Sequence, residues 1–272
     1  MSQLARSAVA LGILTLVAAN GAPGVARATE PDIKQVRKTL SLVPAGYLTV
    51  DTYKGSVTVR TWDKAEVDVQ ARVEPDGDGS DQPQAIQETE VRIEGSGTEV
   101  HVRSDYGKLE GHSWPNSWFN WTSWNLPFVR YEIHMPRTAR LRIKDYKSDI
   151  RVEGLHAALD IDTYKGSTVV SSLDGPLKMQ TYKGEARIEF LNVAGPSWVD
   201  TYKGDIEIAI PRGKGVNLAS ELGRHGTLDV DSTVAVGFQS AGTRRERYHG
   251  AVNGGGPELR LKTFRGSFRL RS

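Results

Sequence analysis

Hydrophobic and polar residues alternate with period two over most of this 272-residue chain, the pattern of strands with one buried face. The alternation is organised around a recurring unit, apolar-x-Thr-Tyr-Lys-Gly-x-apolar-x-apolar. Thr-Tyr-Lys-Gly occurs at Thr52–Gly55, Thr163–Gly166, Thr181–Gly184 and Thr201–Gly204. Asp145-Tyr146-Lys147-Ser148 and Thr263-Phe264-Arg265-Gly266 share its frame. Val50, Ile161, Met179, Val199 and Leu261 stand two residues before the Thr. Val57/Val59, Ile150/Val152, Thr168/Val170, Ala186/Ile188, Ile206/Ile208 and Phe268/Leu270 follow the corner.

The aromatic residues at 146, 164, 182 and 202 are 18, 18 and 20 residues apart. That period suits one turn of a β-coil, and it is too short for a pair of helices. The predicted fold is therefore all-β, a β-solenoid or β-helix-like stack of coils of about 18–20 residues. Stacking would align equivalent side chains in columns about 4.8 Å apart and give a continuous core that no single coil could form. The corner has a local logic. Thr fits a strand and its hydroxyl can bond a nearby backbone group. Gly accepts a positive φ, expected here at Gly166 and Gly184, and lets the chain turn. Ser148 in the glycine position predicts a less strained corner. Tyr and Lys are expected to point outward.

Three segments break the period. Residues 74–89 are rich in Gly, Pro and Asp and read as a surface loop. Residues 104–130 hold a Trp-rich insertion. Residues 211–257 carry Gly-rich turns between short strands. No convincing amphipathic helix is expected outside the Trp segment, apart from the N-terminus.

That N-terminus reads as a signal peptide over residues 1–28. Arg6 precedes the apolar run 8–19, and Ala26-Arg27-Ala28 supplies a cleavage site. The remainder, 29–272, is expected to be a single β-solenoid domain. Removing Arg6 and Arg27 leaves 33 Lys+Arg against 33 Asp+Glu, a neutral balance that argues against nucleic acid as a partner. There is no cysteine, hence no disulfide framework, no thiolate chemistry and no lipidated N-terminus.

The residues then resemble a known family. Tyr47–Thr52, Gly55–Val59 with Trp62-Asp63, Ser148–Leu155, Gly204–Ile208 and Leu259–Gly266 resemble the DUF4097 family ("putative adhesin") over roughly residues 38–272. The resemblance implies a β-solenoid-like, mostly exported domain, linked in some members to envelope-stress operons, and does not imply an enzyme. The Tyr-Lys corners and the Trp insertion depart from the family pattern.

Two constellations are candidate binding surfaces. One is a ladder of Tyr146, Tyr164, Tyr182 and Tyr202 beside Lys147, Lys165, Lys183 and Lys203, with Asp162 and Asp200 near enough to relieve the lysines. As a strip of aromatic faces and cations it suits envelope polysaccharide or another anionic polymer. As plain structure it is a self-supporting stack. The other is Trp114, Trp118, Trp121 and Trp124, spaced for one face of a helix. These rings either cap the stack or contact a glycan, an envelope protein or, peripherally, a bilayer. Asp162 and Asp200 recur as a by-product of the repeat, so no catalytic residue is assigned. The six His show no metal-ligand spacing, and neither a metal nor a cofactor is expected. The expected function is a non-enzymatic binding or scaffold protein of the periplasm or cell surface. A polysaccharide-active β-helix enzyme and an accessory sensor of envelope stress are the alternatives.

Overall fold

β-branched residues alternate with polar ones over most of the chain, and where they do the backbone is extended. The computed structural model describes residues 33–107, 109, 126–231, 236–240 and 246–272, with only the backbone of 236–240 and 246. The signal-peptide reading and the four tryptophans Trp114, Trp118, Trp121 and Trp124 lie outside the described residues.

The first elements are β1 (Lys34–Asp51), β2 (Lys54–Trp62), β3 (Glu66–Glu74), helix α1 (Gln82–Glu88), β4 (Glu90–Asp105) and β5 (Phe128–Pro136). Three long strands follow, β6 (Arg140–Glu153), β7 (Leu159–Asp174) and β8 (Leu177–Asn192), each containing one Tyr-Lys corner. The C-terminal part comprises β9 (Ser197–Lys203), β10 (Asp205–Ala209), β11 (Val216–Leu222), β12 (Thr227–Val230), β13 (Val236–Ser240), β14 (Glu246–Val252), β15 (Glu258–Thr263) and β16 (Ser267–Arg271). Among the described residues the fold is all-β apart from one short helix, and the sixteen strands join one large mixed sheet.

Its centre is parallel and in register with the sequence repeat. Leu141 pairs with Leu159 and Leu159 with Leu177. Met179 pairs with Val199 across the longer step. The copies at Thr52 and Thr263 join the same stack out of chain order. β1 and β2 lie on β6, with Val50 opposite Ile143 and Val57 opposite Ile150. β15 and β16 lie on β9 and β10, with Leu261 opposite Val199 and Phe268 opposite Ile206. β11 and β12 then cover β15 and β16. A uniform coil would hold only parallel neighbours. Here β1–β3, β3–β5, β11–β14 and β13–β14 are antiparallel, and of these pairs only β13 and β14 follow one another in the chain.

The core follows from the corner. Inward positions are odd before it (Ile161, Thr163) and even after it (Thr168, Val170), and all four are buried. The change of parity keeps one face inward as the chain turns. Ile143, Ile161, Met179, Val199 and Leu261 form one column, and Ile150, Thr168, Ala186, Ile206 and Phe268 another, each at most 5% exposed. Each buried Leu, Ile or Val contributes roughly 1.5–3 kcal/mol.

The expected loop at 74–89 contains α1, with Pro83 near its start and Gln82, Ala85 and Ile86 buried. Gln82 Oε1 accepts from Asp76 N at 2.7 Å. Two adjacent apolar residues create no helical periodicity, which is why the pattern read as loop. The corner glycines also differ from expectation. Gly166 has φ 119°, but Gly184 is not at positive φ. Gly184 is needed for another reason: a Cβ there would stand 2.4 Å from Gly166 O. Ser148, as expected, has an ordinary φ; among described non-glycine residues only Ser172 and Asn253 are positive.

Candidate functional site

Parallel strands in register put like beside like, so one corner repeated becomes a row for each of its residues. The ring row is continuous over six layers. Tyr53, Tyr146, Tyr164, Tyr182 and Tyr202 stack with centroids 4.7–4.8 Å apart and planes within 3°. Phe264 closes the row on Tyr202 at 5.2 Å and 14°. Sequence spacing brings the middle four together. It misses Tyr53 and Phe264 because long insertions separate them from their spatial neighbours, although their Thr-Tyr-Lys-Gly and Thr-Phe-Arg-Gly motifs carried the signal.

The stacking changes the chemistry of the strip. At this spacing each ring face is covered by the next ring, so the strip does not display the aromatic faces expected from the sequence. What it presents is ring edges and phenol hydroxyls. Tyr182 and Tyr202 are 44% and 38% exposed, and Tyr146 and Tyr164 are half-buried. At one end Tyr106, buried, sets its edge against Tyr53 at 6.3 Å and 76°. Its hydroxyl donates to Pro127 O at 3.2 Å. Burial, with a contribution from Tyr146, pushes the Tyr53 phenol up to about 12.

Beside the rings runs a cation row. Lys54, Lys147, Lys165, Lys183 and Lys203 pair in register, and Arg265 N donates to Tyr202 O, continuing the row. Lys54 is buried, pairs with Asp76 and lies 4.4 Å from the Phe128 ring centroid. Among the described residues no carboxylate pairs with Lys147, Lys165, Lys183, Lys203 or Arg265. Lys165 Nζ lies 5.3 Å from its own Tyr164 ring.

On the other side of the rings a third row reads Asp51, Lys144, Asp162, Gln180, Asp200, Lys262 and Glu221. From Asp162 on, it forms with the ring edges an open groove of about 940 Å³. The expectation that Asp162 and Asp200 relieve the lysines fails here. Both stand two residues before a ring, on the far side of the aromatic row, and Asp200 is held by Lys262 Nζ at 3.2 Å. Gln180 separates the two carboxylates by one layer on each side.

Beneath the rings the Thr row is buried: Thr52, Thr163, Thr181, Thr201 and Thr263 are all at most 6% exposed. Thr263 Oγ accepts from Gly266 N at 2.7 Å, tying the corner. In the β6 layer Asp145 takes this position, and its Oδ2 accepts from Ser148 N at 2.8 Å and Thr163 Oγ at 2.9 Å. Burial pushes the Asp145 carboxyl up to about 6 against the opposing effect of those hydrogen bonds. Among the described residues no cluster of His, Asp or Glu could hold a metal ion, and no helix is long and apolar enough to cross a membrane.

No family model matches the chain, and no curated protein sequence matches it. Among solved structures it is similar to a "putative cell adhesion protein" from Clostridium sporogenes ATCC 15579, at 12% identity and TM-score 0.41, over 88% of this chain and 99% of that one. It is similar to a "putative adhesin" from Bacteroides fragilis NCTC 9343, at 13% identity and TM-score 0.44, over 88% and 98%. A "putative lipid binding protein" from Parabacteroides distasonis ATCC 8503 matches at 9% identity and TM-score 0.25, over 88% and 97%.

Proposed function

We propose that this chain is an exported, non-enzymatic binding or scaffold protein of a bacterial cell envelope, a β-solenoid-like member of the DUF4097 group. It holds an extended anionic polysaccharide along the Tyr-Lys strip. The observation that carries the reading is the cation row. Lys147, Lys165, Lys183, Lys203 and Arg265 stand in consecutive layers with no carboxylate partner among the described residues, along one side of the ring row. Ammonium groups about 4.8 Å apart repel by roughly 0.9 kcal/mol in water. A row that opposes itself and contributes nothing to the core fits a surface completed by a partner's negative charges. A polymer suits it because the charges repeat along a line.

The test is retention on immobilised polygalacturonate and on lipopolysaccharide. The triple variant Lys165→Gln, Lys183→Gln, Lys203→Gln should weaken retention at least tenfold at low salt and flatten its salt dependence, since screened attraction is what it removes. Equal retention by the variant and the parent chain would sink the reading. Export rests on the N-terminal pattern, and the secreted protein should begin at Thr29 by N-terminal sequencing.

A further inference from the structure

The aromatic ladder stops one layer before the stack does. Phe264 is its last ring, 43% exposed, with Tyr202 on one face. Another layer lies beyond: β11 pairs with β15, Leu222 opposite Thr263. Gly223 N donates to Thr263 O at 2.7 Å, just as Phe264 N donates to Thr201 O at 3.3 Å. Gly223 therefore holds the position that carries a ring in the six layers before it, and it carries none. Its backbone approaches so closely that a Cβ would stand 2.6 Å from Phe264 O. The two ends of the ladder differ in consequence. Tyr106 covers Tyr53 at one end, while among the described residues no ring stacks on the outer face of Phe264. Every other face in the row is occupied.

We propose that Phe264 and Gly223 form a stacking subsite for one pyranose ring of a glycan. This rests on the reading above and gives the strip a defined terminus. The weakly positive C–H face of a sugar complements the negative face of a phenyl ring. The polar groups around the ring suit hydroxyls. Glu221 and Asp200 line the groove as acceptors, Lys262 as a donor. The Arg265 guanidinium lies 5.6 Å from the Phe264 centroid and is placed for an acidic substituent. Stacking on Phe264 puts the sugar beside Gly223, which has no side chain of its own and lines the same groove.

Saturation-transfer NMR on the full chain tests this with two probes, neutral cellotetraose and tetragalacturonate. For both, the C–H protons of one terminal ring should receive the strongest saturation. Phe264→Leu, which keeps volume but has no π face, should weaken the effect at least tenfold. Phe264→Tyr should retain it and shows that the corner still folds. The triple lysine-to-glutamine variant should leave the cellotetraose effect unchanged, so the subsite and the cation row fail separately. Absence of saturation transfer to both probes in the parent chain, or an unchanged effect in Phe264→Leu, would overturn the subsite while leaving polymer retention on the lysines to stand or fall by itself.

Discussion

Thr163 donates its hydroxyl to the buried carboxylate of Asp145 at 2.9 Å, joining two layers of the stack from within. Asp145 occupies a position that is Thr in five other layers, and it is 5% exposed. Its carboxyl is raised to about 6, chiefly by burial. A raised acid holds its proton more tightly folded than unfolded. The cost of ionising it is therefore absent below about pH 4, grows as pH rises, and is complete above the folded value.

Asp145→Thr should remove that cost, because a Thr here can tie the corner as Thr263 does with Gly266 N. The expected gain is on the order of 1–3 kcal/mol at pH 7.5, shrinking toward zero near pH 4. Urea melts of both proteins across that range measure it. A difference that does not change with pH would mean that the carboxyl titrates normally.

The glycines separate strain from crowding. Gly166 combines φ 119° with a would-be Cβ 2.0 Å from Ser148 O, whereas Gly184 has only the crowding. Gly77, at φ 102°, has open space around it. Gly166→Ala should cost the most, on the order of 2–4 kcal/mol, Gly184→Ala about 1–3 kcal/mol, and Gly77→Ala about 1 kcal/mol. Chemical denaturation ranks them, and equal costs at positions 166 and 184 would show that the left-handed conformation adds nothing.

Much of this was legible in the sequence because the repeat acts twice. Ile161, Met179 and Val199 announce both the inward face and their own neighbours, since a fixed period fixes the register. Tyr53 and Phe264 announce the corner but not their neighbours, because nothing in a sequence says which layer an insertion returns to. The antiparallel pairings of β3 and β14 leave the same alternation as parallel ones and so cannot be told apart by pattern. α1 stayed hidden because its burial rests on Gln82, Ala85 and Ile86, too few apolar residues for a period. The orientation of the rings was invisible for a different reason. Period two says that Tyr164 points outward, but only the match of strand spacing to ring stacking shows that its faces are spent on Tyr146 and Tyr182.

Those faces make the ladder part of the fold. Tyr182 stacks on Tyr164 and Tyr202 at 4.7 and 4.8 Å, and each such contact contributes about 0.5–1.5 kcal/mol. Tyr182→Ser should therefore destabilise by about 1–3 kcal/mol while leaving the all-β circular dichroism intact. The outward position alone would have suggested almost no effect. A loss below about 0.3 kcal/mol, the scale of a neutral surface change, would show that the stack is held by its strands alone.

The lysines should behave in the opposite way. Replacing Lys165, Lys183 and Lys203 by Gln removes three like charges from adjacent layers and breaks no ion pair among the described residues. Repulsion of roughly 0.9 kcal/mol per neighbouring pair in water would then be relieved. The variant should be more stable than the parent by on the order of 1 kcal/mol at low ionic strength. The gain should shrink strongly at about 1 M salt, where the screening length falls to about 3 Å. Paired thermal melts at the two salt concentrations measure both terms. Greater stability with weaker retention on anionic polymer would separate what holds the fold from what serves a partner. Stability sacrificed to a binding surface is the usual pattern at functional sites. A variant less stable than the parent at low salt would place the lysines among the residues that support the stack, and the cation row would lose its claim as a recognition surface.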